Sequence, residues 1–585
     1  MKNLVGVTIA LALIMSLSSS AERRYVSKTG NSTPPYTSWE TAADSIMKVM
    51  RISGIGDTVI VGDGIYTEVV RFSAGVVLLG LGWDNTWIQI PQDSTTGIWM
   101  ENDCSISNLK VVGWGMFEEF HTGIYSYRKG GLRMKIRIQN IKVSDCGAAI
   151  HATAFGFSNI DTVFVQNSVI DSSLMGFVAN STKCFVSNNY ITTSENCIYF
   201  AVLSEVDVYN NILVAAPYNR LSDNFKITIW ADNRPSRIHN NLIISLFPNV
   251  TEYSVGSELG PDTINNNVYI GNFGKVINTN GTSSYRDIFN NQISGGKYYG
   301  FNGESPLRFN NFWNNRVNWR STGGASVDTI SNITRFPMFA DETKDYHLQA
   351  YSPLIDAGDT LVKDPDGTRS DIGMYGGRDG KSYTYLDLAP LEPRGIAATV
   401  AGDTIRIDWK RNHESDFKQY LVFGDTTQGF NSDSLSLIAR TTDTSFTKII
   451  QGFSGGYYLR LRSEDNQGNV SEESEEIRII PVGITGEGHE VVQDYQLFNN
   501  YPNPFNPETV IGYRLKSPGR VILTVYTITG EPVRVLQDGE MPSGYHETKF
   551  RGDELASGIY LYKIDVRSPE GVPVYSSVRK MLLLK

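Results

Sequence analysis

Val208-Tyr209-Asn210-Asn211-Ile212-Leu213-Val214-Ala215 and Ile238-His239-Asn240-Asn241-Leu242-Ile243-Ile244-Ser245 are two copies of one short pattern, an apolar run broken by asparagine. The pattern returns upstream in ISNLKVVG, IQNIKVSD, VQNSVIDS and VSNNYITT, and downstream in INNNVYIG, IFNNQISG and RFNNFWNN. The aligned residues are Asn108, Asn140, Asn167, Asn188, Asn210, Asn240, Asn266, Asn290 and Asn310, spaced by 20 to 32 residues. A repeat of this length with variable loops is the signature of a solenoid in which each unit is one coil. Val208, Ile212 and Val214 lie in β-rich runs bounded by Asn, Ser and Gly, without a helical period, so each coil is built of strands and turns. Stacking brings equivalent side chains into register, and the aligned asparagines are therefore expected to form a structural ladder of amide hydrogen bonds.

The chain has 585 residues, enough for several modules. A net charge of −10 argues against a protein that neutralises nucleic-acid phosphates. Four cysteines, Cys104, Cys146, Cys184 and Cys197, are too few to staple so long a chain and lack the close pairing of a zinc site; buried thiols are the expectation, with a disulfide left open. Lys2, the apolar run Leu4 to Met15 and the small residues up to Ala21 have the layout of an export signal cleaved after Ala21. No later stretch has the length of a membrane-spanning helix.

The repeat region, roughly 25 to 380, resembles the right-handed parallel β-helix family of secreted bacterial proteins, the superfamily that includes pectate lyases. Its entry is Tyr25-Val26-Ser27, Gly56-Asp57-Thr58-Val59 and Gly64-Ile65-Tyr66, with Trp39 to Met50 read as an amphipathic helix plugging the open end. Its end is Tyr346-His347-Leu348, Ser352 to Gly358 and Asp371-Ile372-Gly373-Met374-Tyr375. Further on, Trp409, Tyr420, Tyr457 and Tyr458 stand where a fibronectin type III sandwich, which this stretch resembles, keeps its core aromatics. Phe498 to Pro507, Gly544-Tyr545-His546, Leu555 to Tyr560 and the closing lysines look like the C-terminal sorting domain of type IX secretion; Arg551-Gly552-Asp553 falls in that family's usual turn. The expected all-β chain thus runs as signal peptide 1–21, right-handed parallel β-helix 22–380, linker 381–393, fibronectin type III-like domain 394–481, linker 482–494 and sorting domain 495–585. The sorting resemblance implies a Gram-negative source, export machinery as a partner, and a secreted or outer-surface location.

No phosphate-binding Gly loop, HExxH helix or GxSxG elbow is present. Asp364, Asp366 and Asp371 match a calcium loop only loosely and are read as turn-shaping, so no metal ligands and no cofactor are expected beyond weak calcium binding. Glu118, Glu119 and His121 sit in a coil insertion without a named partner. The strongest signal is one strand of each coil, Gly123-Ile124-Tyr125, Ala149-Ile150-His151, Gly176-Phe177-Val178, Cys197-Ile198-Tyr199 and Thr228-Ile229-Trp230. If the first apolar residue of each triplet points inward, Tyr125, His151, Val178, Tyr199 and Trp230 form one outward column. Aromatic faces there suit the apolar faces of sugar rings, which makes Tyr125, His151, Tyr199 and Trp230 the candidate polysaccharide-binding row. A lyase would also need a proton-abstracting base and a basic cluster; the candidates are His151 with Arg133 and Lys135 across a groove. The sequence leaves two functions open: a polysaccharide-binding protein that could also process its ligand as a lyase or glycoside hydrolase, and a non-enzymatic structural or adhesive surface protein. For either, a monomer is the expectation.

Overall fold

The computed structural model describes residues 21–115, 121–127, 135–153, 161–180, 182–201, 204–216, 229–230, 236–246, 253–257, 263–279, 287–322, 327–401, 403–450, 456–479, 495–500, 503, 505–542, 544–553, 555–568 and 571–583. The export signal, Glu118, Glu119, Arg133 and the joint around Gly486 lie outside these residues, as does the side chain of Trp230. The chain divides into two compact units, Met1–Pro337 with Pro353–Thr384 and Met338–Ser352 with Tyr385–Lys585.

The first unit is a right-handed parallel β-helix. Each coil contributes a strand to a first sheet of 12 strands, then one to a second and one to a third sheet of 11 strands each. Lys135–Gln139, Lys142–Ser144 and Ala148–Thr153 make up one such coil, and each pairs in parallel with the next. Strict alternation sends every second side chain inward. Ile106, Ile138, Val165, Val186, Val208, Ile238, Ile264 and Ile288 therefore stack as one inward column of the first sheet, all fully buried. Such burial contributes about 1.5–3 kcal/mol per side chain and runs the length of the coil axis.

The asparagine corner joins the first sheet to the second, and its roles are split over two adjacent positions. Asn108, Asn140, Asn167, Asn188, Asn210, Asn240, Asn266 and Asn290 turn the chain in the left-handed region, with φ between 51 and 58°. Asparagine is the side chain that tolerates this conformation best after glycine. The amide ladder expected of these residues is instead built by the next position, Asn189, Asn211, Asn241, Asn267, Asn291, Asn310 and Asn332. Each accepts through Oδ1 from the backbone N–H of the residue one coil earlier, at 3.0 Å for Asn241 to Asn267 and for Asn310 to Asn332. Asn310 thus belongs to the ladder, and Phe309, with φ 53°, occupies the turn position of its coil. The reason is direction: the residue after the turn points into the solenoid, where an unpaired amide would be costly.

The expected plug helix is also shorter. Only Ile46–Met50 is helical, and it buries Ile46, Val49 and Met50 against the first coil while Trp39 stays 44% exposed. The Glu68 carboxylate fixes its start by accepting from the N–H groups of Ile46 at 2.8 Å and Met47 at 3.0 Å. Residues before Ser45 are held instead by backbone bonds to the first strand, including Ala43 N–H to Tyr25 O.

At the other end, residues 353–380 run as a strap along the corner. Asn240 Nδ2 donates to Met374 O at 2.9 Å and to Gly376 O at 2.6 Å, and Asn266 Nδ2 to Asp371 O at 3.0 Å. Asp359 N–H donates to Asn290 Oδ1 at 2.6 Å, and Asn210 Nδ2 to Asp379 O at 3.4 Å. Gly377 is at φ +77°, and a Cβ there would lie 2.9 Å from Asn266 Oδ1, so only glycine lets the strap lie this close. Arg308 pairs with Asp359 and Asp287 beside it.

The second unit holds the hairpin Phe339–Asp341/Asp345–Leu348, which includes the Tyr346-His347-Leu348 segment, and two groups of antiparallel strands. Residues 397–479 form sheets of three and four strands around Trp409, Tyr420, Leu459 and Leu461. Residues 496–583 form another three-plus-four arrangement around Phe505, Tyr513, Phe550 and Tyr562. Among the described residues no helix is long and apolar enough to cross a membrane.

Candidate functional site

The third sheet carries the outward column. Its strand register pairs Tyr125 with His151, His151 with Val178, Val178 with Tyr199, and Tyr199 with Trp230. Ile124, Ile150, Phe177 and Ile198 beside them are fully buried, and Tyr125, His151 and Tyr199 are part-exposed. Val178 interrupts the row and is nearly buried.

The column extends further toward the N-terminus than the sequence reading took it. Trp99 pairs with Tyr125, and Arg71 with Trp99. The Arg71 guanidinium lies 4.9 Å from the Trp99 ring centroid, a cation–π contact. Trp99 meets Tyr125 edge to face at 5.0 Å, and Tyr125 meets His151 in the same way at 5.2 Å. Tyr127, two residues along the strand and hence on the same face, stacks on Tyr125 at 6.0 Å and donates from its hydroxyl to Glu101 Oε1 at 3.1 Å. The signal for Trp99 was present in Gly97-Ile98-Trp99, which has the shape of Gly123-Ile124-Tyr125. Edge-to-face contacts of this kind hold rings in fixed orientations and make a rigid aromatic ribbon.

His151 Nε2 lies 3.2 Å from Thr153 Oγ1 and 3.1 Å from Asn180 Nδ2. With the amide donating, Nε2 is the acceptor and the imidazole is neutral; burial also holds its pKa below the usual value. Lys135 is exposed on the first sheet, paired with Thr162, whereas His151 is on the third, so the two do not share a face. The strand order within the coil separates them. Among the described residues no charged side chain hydrogen-bonds the imidazole.

Other candidates have structural settings. His121 is buried beside the third sheet, where its carbonyl accepts from Gly147 and Ala148. Asp364 accepts from Asp371 N–H at 3.0 Å, Asp366 from Thr368 N–H at 2.9 Å, and Asp371 from Asp356 N–H at 2.9 Å, which makes all three turn-shaping acceptors in the strap. The four cysteines are free and buried. Burial pushes the thiols of Cys146, Cys184 and Cys197 up to about 12.

No protein-family profile and no curated protein sequence matches the chain. Among solved structures it is similar to the pectate lyase Pel9A, at 14% identity and a TM-score of 0.40, over 61% of this chain and 96% of that one. It is also similar to a pectin methylesterase mutant in complex with hexasaccharide IV, at 10% identity and a TM-score of 0.26, over 41% of this chain and 90% of that one. An Fn3-like protein from Clostridium thermocellum aligns at 23% identity and a TM-score of 0.14, over 17% of this chain and 99% of that one.

Proposed function

We propose that this chain is an exported protein, at the outer surface of a Gram-negative cell or released from it, whose solenoid binds polysaccharide along the third sheet. The observation that carries the reading is the run of rings Trp99, Tyr125 and His151 on successive strands, flanked by Tyr127 and continued by Tyr199. Strands about 4.8 Å apart carry the column about 24 Å from Trp99 to Trp230, room for several sugar rings. Binding is the reading the ring row supports, while the neutral imidazole of His151 is engaged by Thr153 and Asn180 and Lys135 stands on a different sheet. In this reading the residues around 394–481 act as a spacer and 495–585 as the export address.

The test is retention of the full-length protein by a panel of immobilised polysaccharides, with ultraviolet absorbance following release of unsaturated products. Trp99→Ala and Tyr125→Ala each remove one platform worth about 1 kcal/mol, roughly a fivefold loss of affinity. Unchanged retention of both variants, or no retention of the native protein by any glycan, would leave the structural or adhesive alternative. Accumulation of unsaturated product would restore the lyase.

A further inference from the structure

The first sheet carries an outward column of its own. Phe164 pairs with Phe185, Phe185 with Asp207, Asp207 with Arg237, and Arg237 with Thr263. These positions alternate with the buried inward residues Val165, Val186, Val208 and Ile238, so their side chains stand on the outer face. Two residues earlier on the same strands, and therefore on the same face, Lys183 pairs with Glu205. The rings of Phe164 and Phe185 lie nearly parallel, at 10° and 5.1 Å between centroids. The column then steps down from a ring to the short side chain of Asp207. The step leaves a trough of about 260 Å³ walled by Lys183, Phe185, Glu205, Asp207, Arg237 and Thr263.

The walls carry balanced charge. Lys183 pairs with Glu205 and Arg237 with Asp207, each across neighbouring coils. His239 Nε2, 3.0 Å from Asp207 Oδ1, fixes that carboxylate further. An ionic ligand entering the trough would neutralise one wall residue and leave its partner unpaired. A neutral polyol meets no such conflict. Its hydroxyls donate to the carboxylates and accept from the ammonium and guanidinium while both ion pairs stay closed. The apolar face of a pyranose ring in turn covers the phenyl ring of Phe185, whose far side is already taken by Phe164. The volume is just below that of sites for drug-sized ligands and suits about one or two sugar rings.

We propose that this trough is a second saccharide site, which takes neutral pyranose units of a glycan. It belongs to the first sheet and the aromatic ribbon to the third, so the two sites share no residue and neither depends on the other. A glycan held in the trough and a glycan held on the ribbon occupy separate faces of the solenoid. One molecule then ties two polysaccharide chains together, or grips one network at two points with the gain in avidity that this brings.

Calorimetric titration of the full chain carrying Trp99→Ala and Tyr125→Ala isolates the trough from the ribbon. The probes are β-1,4-linked hexasaccharides of glucose, mannose and xylose, with the hexasaccharide of galacturonate as the charged counterpart. At least one neutral probe should bind with one equivalent, and more tightly than galacturonate. Adding Phe185→Ala should weaken that binding about fivefold, with the urea midpoint of the β-helix little changed because the ring is outside the core. Adding Glu205→Gln instead frees Lys183 of its carboxylate and should raise the affinity for galacturonate about threefold, which keeps the test decisive even if Phe185→Ala misfolds. Absence of binding by every neutral probe, tighter binding of galacturonate than of any neutral probe, or unchanged affinities in both added variants would overturn the assignment. A ribbon that binds no glycan alters none of these readings, since its two main rings are already gone.

Discussion

Replacing Asn241 by Ala tests the most constrained side chain of the solenoid. Asn241 is fully buried. Its Nδ2 donates to Val208 O, His239 O and Asn267 Oδ1 at 2.9, 2.9 and 3.0 Å, and its Oδ1 accepts from the Asn211 backbone N–H at 3.0 Å and from Asn211 Nδ2 at 2.9 Å. In the alanine variant Asn211 Nδ2 keeps Val186 O and Tyr209 O, but the buried Asn211 N–H loses its acceptor. One orphaned buried donor costs about 1–3 kcal/mol, and each of two or three further lost bonds about 1 kcal/mol, so a total of about 3–6 kcal/mol is expected. Urea unfolding of the full chain, followed by the signal of the β-helix transition, reads the change as a lower midpoint at unchanged slope. The neighbouring turn position supplies the control: at Asn140, with φ 51°, alanine should cost only about 1–2 kcal/mol and glycine close to nothing. A loss below about 1 kcal/mol at Asn241, or equal losses at Asn241 and Asn140, would refute the division of labour between ladder and turn.

Three further outcomes follow from the same structure. Because burial lowers the pKa of His151, the unfolded chain binds more protons than the native one below about pH 6.5, and stability should fall on acidification through that point; urea midpoints of His151→Gln should decline less than those of the native chain between about pH 7.5 and about pH 5. The four buried thiols should resist a thiol reagent at neutral pH until the chain is unfolded in denaturant, then react in full; native-state reaction would place them elsewhere. Removing residues 495–585 should leave the glycan retention and the β-helix transition intact while abolishing surface display, and normal display of the truncated chain would reject the export role.

The column on the third sheet could be read from sequence because inward isoleucines fix register: a slip of one residue between neighbouring strands would turn Ile124 or Ile150 to solvent. The asparagine row was displaced by one position because Asn-Asn pairs such as Asn210-Asn211 satisfy either alignment, and only backbone conformation separates turn from ladder. The pairing of His151 with Lys135 failed on a different ground, since closeness along the chain says nothing about which sheet of a coil a strand joins.

The strap fixes how many coils this end of the solenoid contains. Its contacts at Asp359, Asp371, Gly376 and Asp379 engage Asn290, Asn266, Asn240 and Asn210, four successive corners met in reverse chain order. A ruler with marks about 4.8 Å apart accepts only an object of the same pitch. Duplication or deletion of a repeat between Asn210 and Asn290 would displace every mark beyond it, whereas coils nearer the N-terminus, beyond the reach of these four contacts, are free to vary in number. Growth or shortening of the aromatic ribbon is therefore simplest among the coils that carry Trp99, Tyr125 and His151.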